Sequence, residues 1–189
     1  DSPNDFLTAY SNAQVWDSTY SLSADTLFYF SKIDSGSANG NAILKQDNQT
    51  ISGQKIEYKE FPDSKGVSYA ARGGVRILEQ ERLATCGEAV YDRKNGKTTL
   101  RINPEITDNG QVITGSEIFL KYKEDVLQDI FIPKDARAIR PTNGTREWFE
   151  VVDGDTSNFT DSASFVDDMT GSTLRGFFVD GSLDSLRLE

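Results

Sequence analysis

Thirty carboxylates stand against twenty basic side chains in this sequence, so acid chemistry is the first possibility to weigh. Paired acids ~5–10 Å apart across a cleft hydrolyse glycosides. Glu79, Glu81 and Glu88, or Asp153 and Asp155, supply the residue types. Charged residues on the outward face of a strand are ordinarily solvated, so these acids read first as surface. Asp153, Asp155 and Asp161 are hard oxygen donors of the kind calcium takes, but their spacing lacks the EF-hand glycine and reads as an acidic loop. Histidine is absent and Cys86 is the only cysteine. That excludes Ser-His-Asp and Cys-His nucleophiles, His-containing zinc or iron sites and any intrachain disulfide. Cys86 reads as a small buried side chain. No catalytic residue, metal ligand or cofactor is assigned. Asn48, Asn143 and Asn158 begin N-glycosylation triplets, which carry meaning only in a eukaryotic secreted protein.

The formal charge of −10 argues against nucleic acid as a partner, because phosphate binding needs a clustered basic surface. No apolar run reaches the ~18 residues of a membrane-spanning helix. What remains is a chain whose chemistry is packing and binding, and its organisation decides where.

The sequence repeats. Segments beginning at Asn12, Asn41, Gly74 and Asn103 align without gaps, recurring every ~29 to ~33 residues. Ala13, Ala42, Val75 and Pro104 align, followed two residues on by Val15, Leu44, Ile77 and Ile106. After a polar stretch come Leu22, Ile51, Ala84 and Ile113, then the small residues Ala24, Gly53, Cys86 and Gly115. Leu27, Ile56, Ala89 and Ile118 follow, then Tyr29, Tyr58, Tyr91 and Leu120. Spacing by two puts these side chains on one face of a strand. Each unit is therefore a strand, a polar turn and a second strand. The step of three after the small residue breaks the alternation and predicts a bulge or bend in the second strand.

A fifth copy is interrupted. Ala136 and Ala138 take the first-strand positions and Met169, Gly171, Leu174 and Gly176 the second. Residues 139–161 read as an insertion of turn and loop residues (Pro141, Asn143-Gly144, Asp153-Gly154) around the apolar run Trp148 to Val152. Hairpin turns are expected at Asp34-Ser35-Gly36, Asp63 to Gly66, Asn95-Gly96 and Asp108-Asn109-Gly110. Residues 1–11 read as an N-terminal extension with a short helix over Ser2 to Tyr10, and a further strand is expected to begin in the closing Ser182 to Glu189, where the chain reads as open to continuation. The expected architecture is one all-β domain over 1–189, made of repeated two-strand units of about 29 residues. Its aligned apolar columns have two readings, a dry core or a trough that holds an acyl chain.

The ordered repetition of Ala71-Arg72-Gly73-Gly74-Val75-Arg76-Ile77, Ala84 to Tyr91, Ala38 to Ala42, Ile51 to Tyr58 and Ile113 to Leu120 resembles the OstA-like family. These are periplasmic lipopolysaccharide-transport proteins of the LptA, LptC and LptD N-terminal-domain type. The stretch from Thr170 to Leu186 is similar to the larger Bacteroidetes-type members. The resemblance implies a twisted, V-shaped β-jelly roll in the periplasm that takes the acyl chains of lipopolysaccharide or another amphiphile in an apolar groove. It also implies end-to-end strand pairing with other OstA-like proteins and no catalysis. The lipid-lining candidates are Leu44, Ile56, Tyr58, Val75, Ile77, Ala89, Tyr91, Ile106, Ile118 and Leu120. The alternative is a scaffold of the same fold with a filled interior, assembling through its edge strands.

Overall fold

The computed structural model describes residues 6–16, 18–61, 64–124, 126–152, 155–179 and 182–189. The strands run in chain order β1 (Phe6–Trp16), β2 (Tyr20–Phe30), β3 (Ser35–Gln46), β4 (Gln49–Phe61), β5 (Ser64–Glu79), β6 (Arg82–Asp92), β7 (Lys97–Arg101), β8 (Glu105–Asp108), β9 (Gln111–Thr114), β10 (Glu117–Lys123), β11 (Val126–Ile132), β12 (Ala136–Val152), β13 (Asp155–Gly171), β14 (Leu174–Val179) and β15 (Ser182–Leu188). The recorded strand pairs are antiparallel, and β1 to β6 form an uninterrupted meander. The fold is an all-β jelly roll.

The repeat has a backbone cause. Two successive residues in the left-handed region stand at the start of each of the first four copies: Ser11-Asn12, Gly40-Asn41 and Gly73-Gly74 within β1, β3 and β5, and Ile102-Asn103 between β7 and β8. Asp135 takes the same conformation before Ala136. The second residue of each pair opens one of the aligned segments, which is why Asn or Gly recurs there; both residue types tolerate positive φ. Two residues on β1, β3 and β5 face one residue on the neighbouring strand, as Ser11-Asn12 face Asp25 and Gly73-Gly74 face Gly87. The bulge therefore lies at the expected level, beside the small residues, but its extra residue belongs to the first strand and not the second.

The sheet folds across this line of bulges into two halves. At β6 the division is complete. Leu83–Thr85 pair with β8, whereas Glu88–Asp92 pair with β7. Beyond this point the long strands are cut in two, and Pro104, without an N–H for the ladder, stands at the cut between β7 and β8. One half-sheet continues through β8, β9, β12 and β13, the other through β7, β10, β11, β14 and β15.

In the fifth copy, Ala136 pairs with Gly171 and Ala138 with Met169, as Ala13 pairs with Ala24 and Val15 with Leu22. Among the described residues, 139–152 and 155–161 do not form an inserted loop. They extend the same hairpin in unbroken register, from Ile139 opposite Asp168 to Val152 opposite Asp155. Only Arg137, Ala138 and Ile139 of β12 also pair with β9, so the hairpin projects as a two-stranded arm roughly 40 Å long. An edge tolerates Pro141 because no further strand needs its N–H. Gly144 is covered by the Phe165 ring, which a Cβ there would meet at 3.1 Å. Tyr10 and its neighbours from Phe6 onward lie in strand β1, so the expected N-terminal helix is not formed there; residues 2–5 lie outside the described part. Ser182–Leu188 form the expected closing strand, β15.

Candidate functional site

The period of two sends one row of side chains after another into the space between the half-sheets. In the first half-sheet the pairing joins Val15, Leu22, Leu44, Ile51, Ile77, Ala84, Ile106, Ile113, Ala138 and Met169 into one cross-strand row. In the second, Leu27, Ala38, Ile56, Ala71, Ala89, Leu100 and Ile118 form another. A third row beside it runs through Tyr29, Gly36, Tyr58, Tyr69, Tyr91, Thr98, Leu120 and Ile130. All ten residues expected to line a groove face this interior and belong to one buried cluster: Leu44, Val75, Ile77 and Ile106 from the first half-sheet, and Ile56, Tyr58, Ala89, Tyr91, Ile118 and Leu120 from the second. Each buried Leu or Ile contributes roughly 1.5–3 kcal/mol.

The interior is closed along the margin opposite the bulges. There the inward positions of the first half-sheet turn polar: Tyr20, Gln46, Gln49, Glu79 and Arg82 are successive cross-strand neighbours. They reach across to the second half-sheet. The Tyr20 hydroxyl donates to Glu60. The Val67 N–H donates to Gln46 Oε1 at 2.6 Å. Asp47 pairs with Arg93 at 2.8 Å. The Tyr122 hydroxyl donates to Glu79 at 3.3 Å, and Gln49 donates to the same carboxylate at 2.8 Å. The Arg82 guanidinium lies 4.9 Å from the Phe178 ring centroid and 3.0 Å from Asp108. These contacts form a seam between strand ends of opposite half-sheets.

Next to the last of these contacts a cavity of about 110 Å³ remains between the half-sheets. Ile106 and Ile113 line one side, Leu127, Ile130 and Phe178 the other, with Arg82, Asp108, Asn109 and Gln111 at its rim. Of these, only Ile106 was singled out from sequence as a lining residue. Ile113 was legible as an aligned apolar position. The seam is not among the sequence expectations: Glu79 reads there as a surface acid, whereas it is buried, and the signal that marks it is that Gln46 and Glu79 continue the inward spacing of Leu44 and Ile77.

Burial governs the tyrosines. It pushes Tyr58 up to about 12, with the Glu60 charge adding to the effect. Burial also raises Tyr122, again with a nearby carboxylate, Glu79, and it raises Tyr69 strongly. Among the described residues, the Tyr69 hydroxyl is buried without a hydrogen-bond partner. Burial likewise pushes the Cys86 thiol up to about 11.

The acids considered for hydrolysis do not converge. Glu79 points inward into the seam, while Glu88 lies on the outer face in ion pairs with Arg72 at 2.8 Å and Arg101 at 3.9 Å. Glu81 is exposed in the turn between β5 and β6. Asp153 and the side chains of Asp155 and Asp161 lie outside the described residues.

The bulged, folded meander with an apolar interior defines a β-jelly roll. A family model described as "LptA/(LptD N-terminal domain) LPS transport protein" matches residues 21–126, more than half of the chain, and the chain belongs to that family. The fold is similar to the crystal structure of LptH, the LptA-homologous periplasmic component of the lipopolysaccharide transport device of Pseudomonas aeruginosa. The TM-score is 0.51 at 14% identity, over 57% of this chain and 79% of that one. No curated protein matches the chain.

Proposed function

We propose that this protein is a periplasmic carrier module that holds the acyl chains of lipopolysaccharide, or of a closely similar amphiphile, between its two half-sheets. The observation that carries the reading is the set of continuous inward rows, mostly apolar, that cross the units and are flanked by a polar margin. An acyl chain laid along such rows gains ~0.8 kcal/mol per buried CH₂, with no covalent step required. The candidate lining residues named above are the proposed contacts. Family membership supports lipopolysaccharide as the ligand and the periplasm as the compartment.

The same reading includes assembly with other OstA-like proteins. Strand β1 is an edge, and Phe6, Leu7, Tyr10 and Trp16 on it are exposed. An unpaired edge offers main-chain donors and acceptors to a neighbouring strand. The filled-scaffold reading rests on a specific observation too: Leu44, Ile56, Ala89 and Ile118 are completely inaccessible to solvent. Native mass spectrometry after incubation with lipopolysaccharide, together with displacement of a bound fluorescent fatty acid, separates the two. The carrier reading expects a retained lipid adduct and displacement by lipopolysaccharide. Absence of both leaves only the scaffold, which still assembles with rising concentration.

A further inference from the structure

Resting on the carrier reading, we infer that the structure is the closed state of the groove and that the polar seam is its gate. An acyl chain reaches the interior only when the seam parts, and parting begins at the cavity beside Phe178.

Three observations converge. First, the seam joins strand ends that share no ladder. Tyr20–Glu60, Gln46–Val67, Asp47–Arg93, Glu79–Tyr122 and Arg82–Phe178 each link one half-sheet to the other, across the margin opposite the bulges. The bulge line is continuous backbone through β1 to β6, whereas the seam is side chain only on at least one partner. It is the side that separates without breaking a β-ladder. Second, the closed state carries a cost inside it. Tyr69 is 3% exposed, and among the described residues its hydroxyl has no hydrogen-bond partner. Its ring lies 5.4 Å from that of Tyr91, whose ring in turn meets Tyr122 of the seam at 6.5 Å. A buried hydroxyl left unpaired favours any state that supplies a partner, and parting the seam exposes this row to water or to a polar group of the ligand. Third, the rows border a space. The cavity between Ile106 and Ile113 on one side and Leu127, Ile130 and Phe178 on the other already separates the half-sheets, with Arg82 at its rim. A chain end placed there contacts the inward apolar rows directly.

The gate is tested with Asp47→Cys and Arg93→Cys together, in a Cys86→Ala background that removes the native thiol from a position where small residues recur. A cleavable bis-maleimide then ties the two half-sheets at one point of the seam. The readout is the rate of uptake of a fluorescent dodecanoic acid. The uncross-linked protein, having lost the ion pair, takes up the probe faster than the parent. Cross-linking slows uptake at least about ten-fold, and cleavage of the linker restores it. Tyr69→Phe supplies an independent arm: it removes the unpaired hydroxyl, favours the closed state and slows uptake about five-fold with the fold intact by circular dichroism. Equal uptake in cross-linked and cleaved protein overturns the gate while leaving the carrier reading standing. No uptake in any form overturns the carrier reading and the gate with it.

Discussion

Gly73 and Gly74 test the cause of the repeat residue by residue. Both have positive φ, +81° and +62°. An alanine in the left-handed region costs roughly 1–2 kcal/mol. At Gly74 an added Cβ meets nothing within 4 Å, so Gly74→Ala costs the backbone term alone, about 1 kcal/mol. At Gly73 the Cβ falls 2.8 Å from the Cβ of Gln54, closer than side chains pack. Gly73→Ala therefore adds a steric term and costs about 2–3 kcal/mol. Asparagine already stands at the equivalents of Gly74, at Asn12, Asn41 and Asn103, all with positive φ. Gly74→Asn is expected to be the mildest of the three, within about 0.5 kcal/mol of the parent. Urea unfolding followed by tryptophan fluorescence or circular dichroism gives the order. If Gly74→Asn is as damaging as Gly73→Ala, the left-handed pair does not explain the period.

Four further outcomes follow from the geometry. Gln46→Ala removes the acceptor of the buried Val67 N–H and should cost about 1–3 kcal/mol in the same assay, whereas Asn48→Ala in the adjoining turn should be near neutral. Tyr58 ionises near 12 in the folded protein but near 10 unfolded, so its contribution to stability is full below pH 10 and is lost as pH rises toward 12; spectrophotometric titration at constant temperature should show tyrosinate appearing late and together with loss of structure. The buried Cys86 thiol, raised to about 11, should react with a thiol reagent at pH 8 only when denaturant is present. Replacing residues 143–164 by Asn-Gly rejoins Thr142 to Phe165, which already face each other, and should move the melting temperature by only a few degrees because the arm beyond Ile139 pairs with itself alone.

The units were legible because two independent signals coincide. Asn or Gly recurs at the start of the aligned segments, and the apolar pairs that follow keep period two, so Ala136 and Ala138 fall at first-strand positions and Met169 and Gly171 at second-strand positions from sequence alone. The arm was misread because Pro141 and Asn143-Gly144 are local turn signals, and local chemistry does not reveal that an edge strand tolerates them. The N-terminal strand was misread for a related reason. Phe6 and Tyr10 have helical spacing, but β2 offers them a ladder from Phe30 to Thr26, and that tertiary pairing decides. The bulge was located by its level and assigned to the wrong strand, since a small residue marks the neighbourhood of a bulge without saying which chain carries the extra residue. The interior rows were legible at the aligned positions, whereas Tyr69, Leu100 and Ile130 lie outside the aligned segments and only the strand pairing adds them. The seam was present in the sequence as polar residues at inward positions, and only the folding of one half-sheet over the other shows what Gln46, Glu79 and Arg82 meet.

Site-specific photo-cross-linking tests the carrier claim most directly. Benzoyl-phenylalanine is placed either at Tyr58, which faces the interior, or at its neighbour Lys59, which faces solvent. Each protein is irradiated with lipopolysaccharide and analysed by immunoblot and mass spectrometry. The account predicts a lipopolysaccharide adduct at position 58 and none above background at position 59. Equal adducts at both positions, or an adduct at 59 alone, would contradict it.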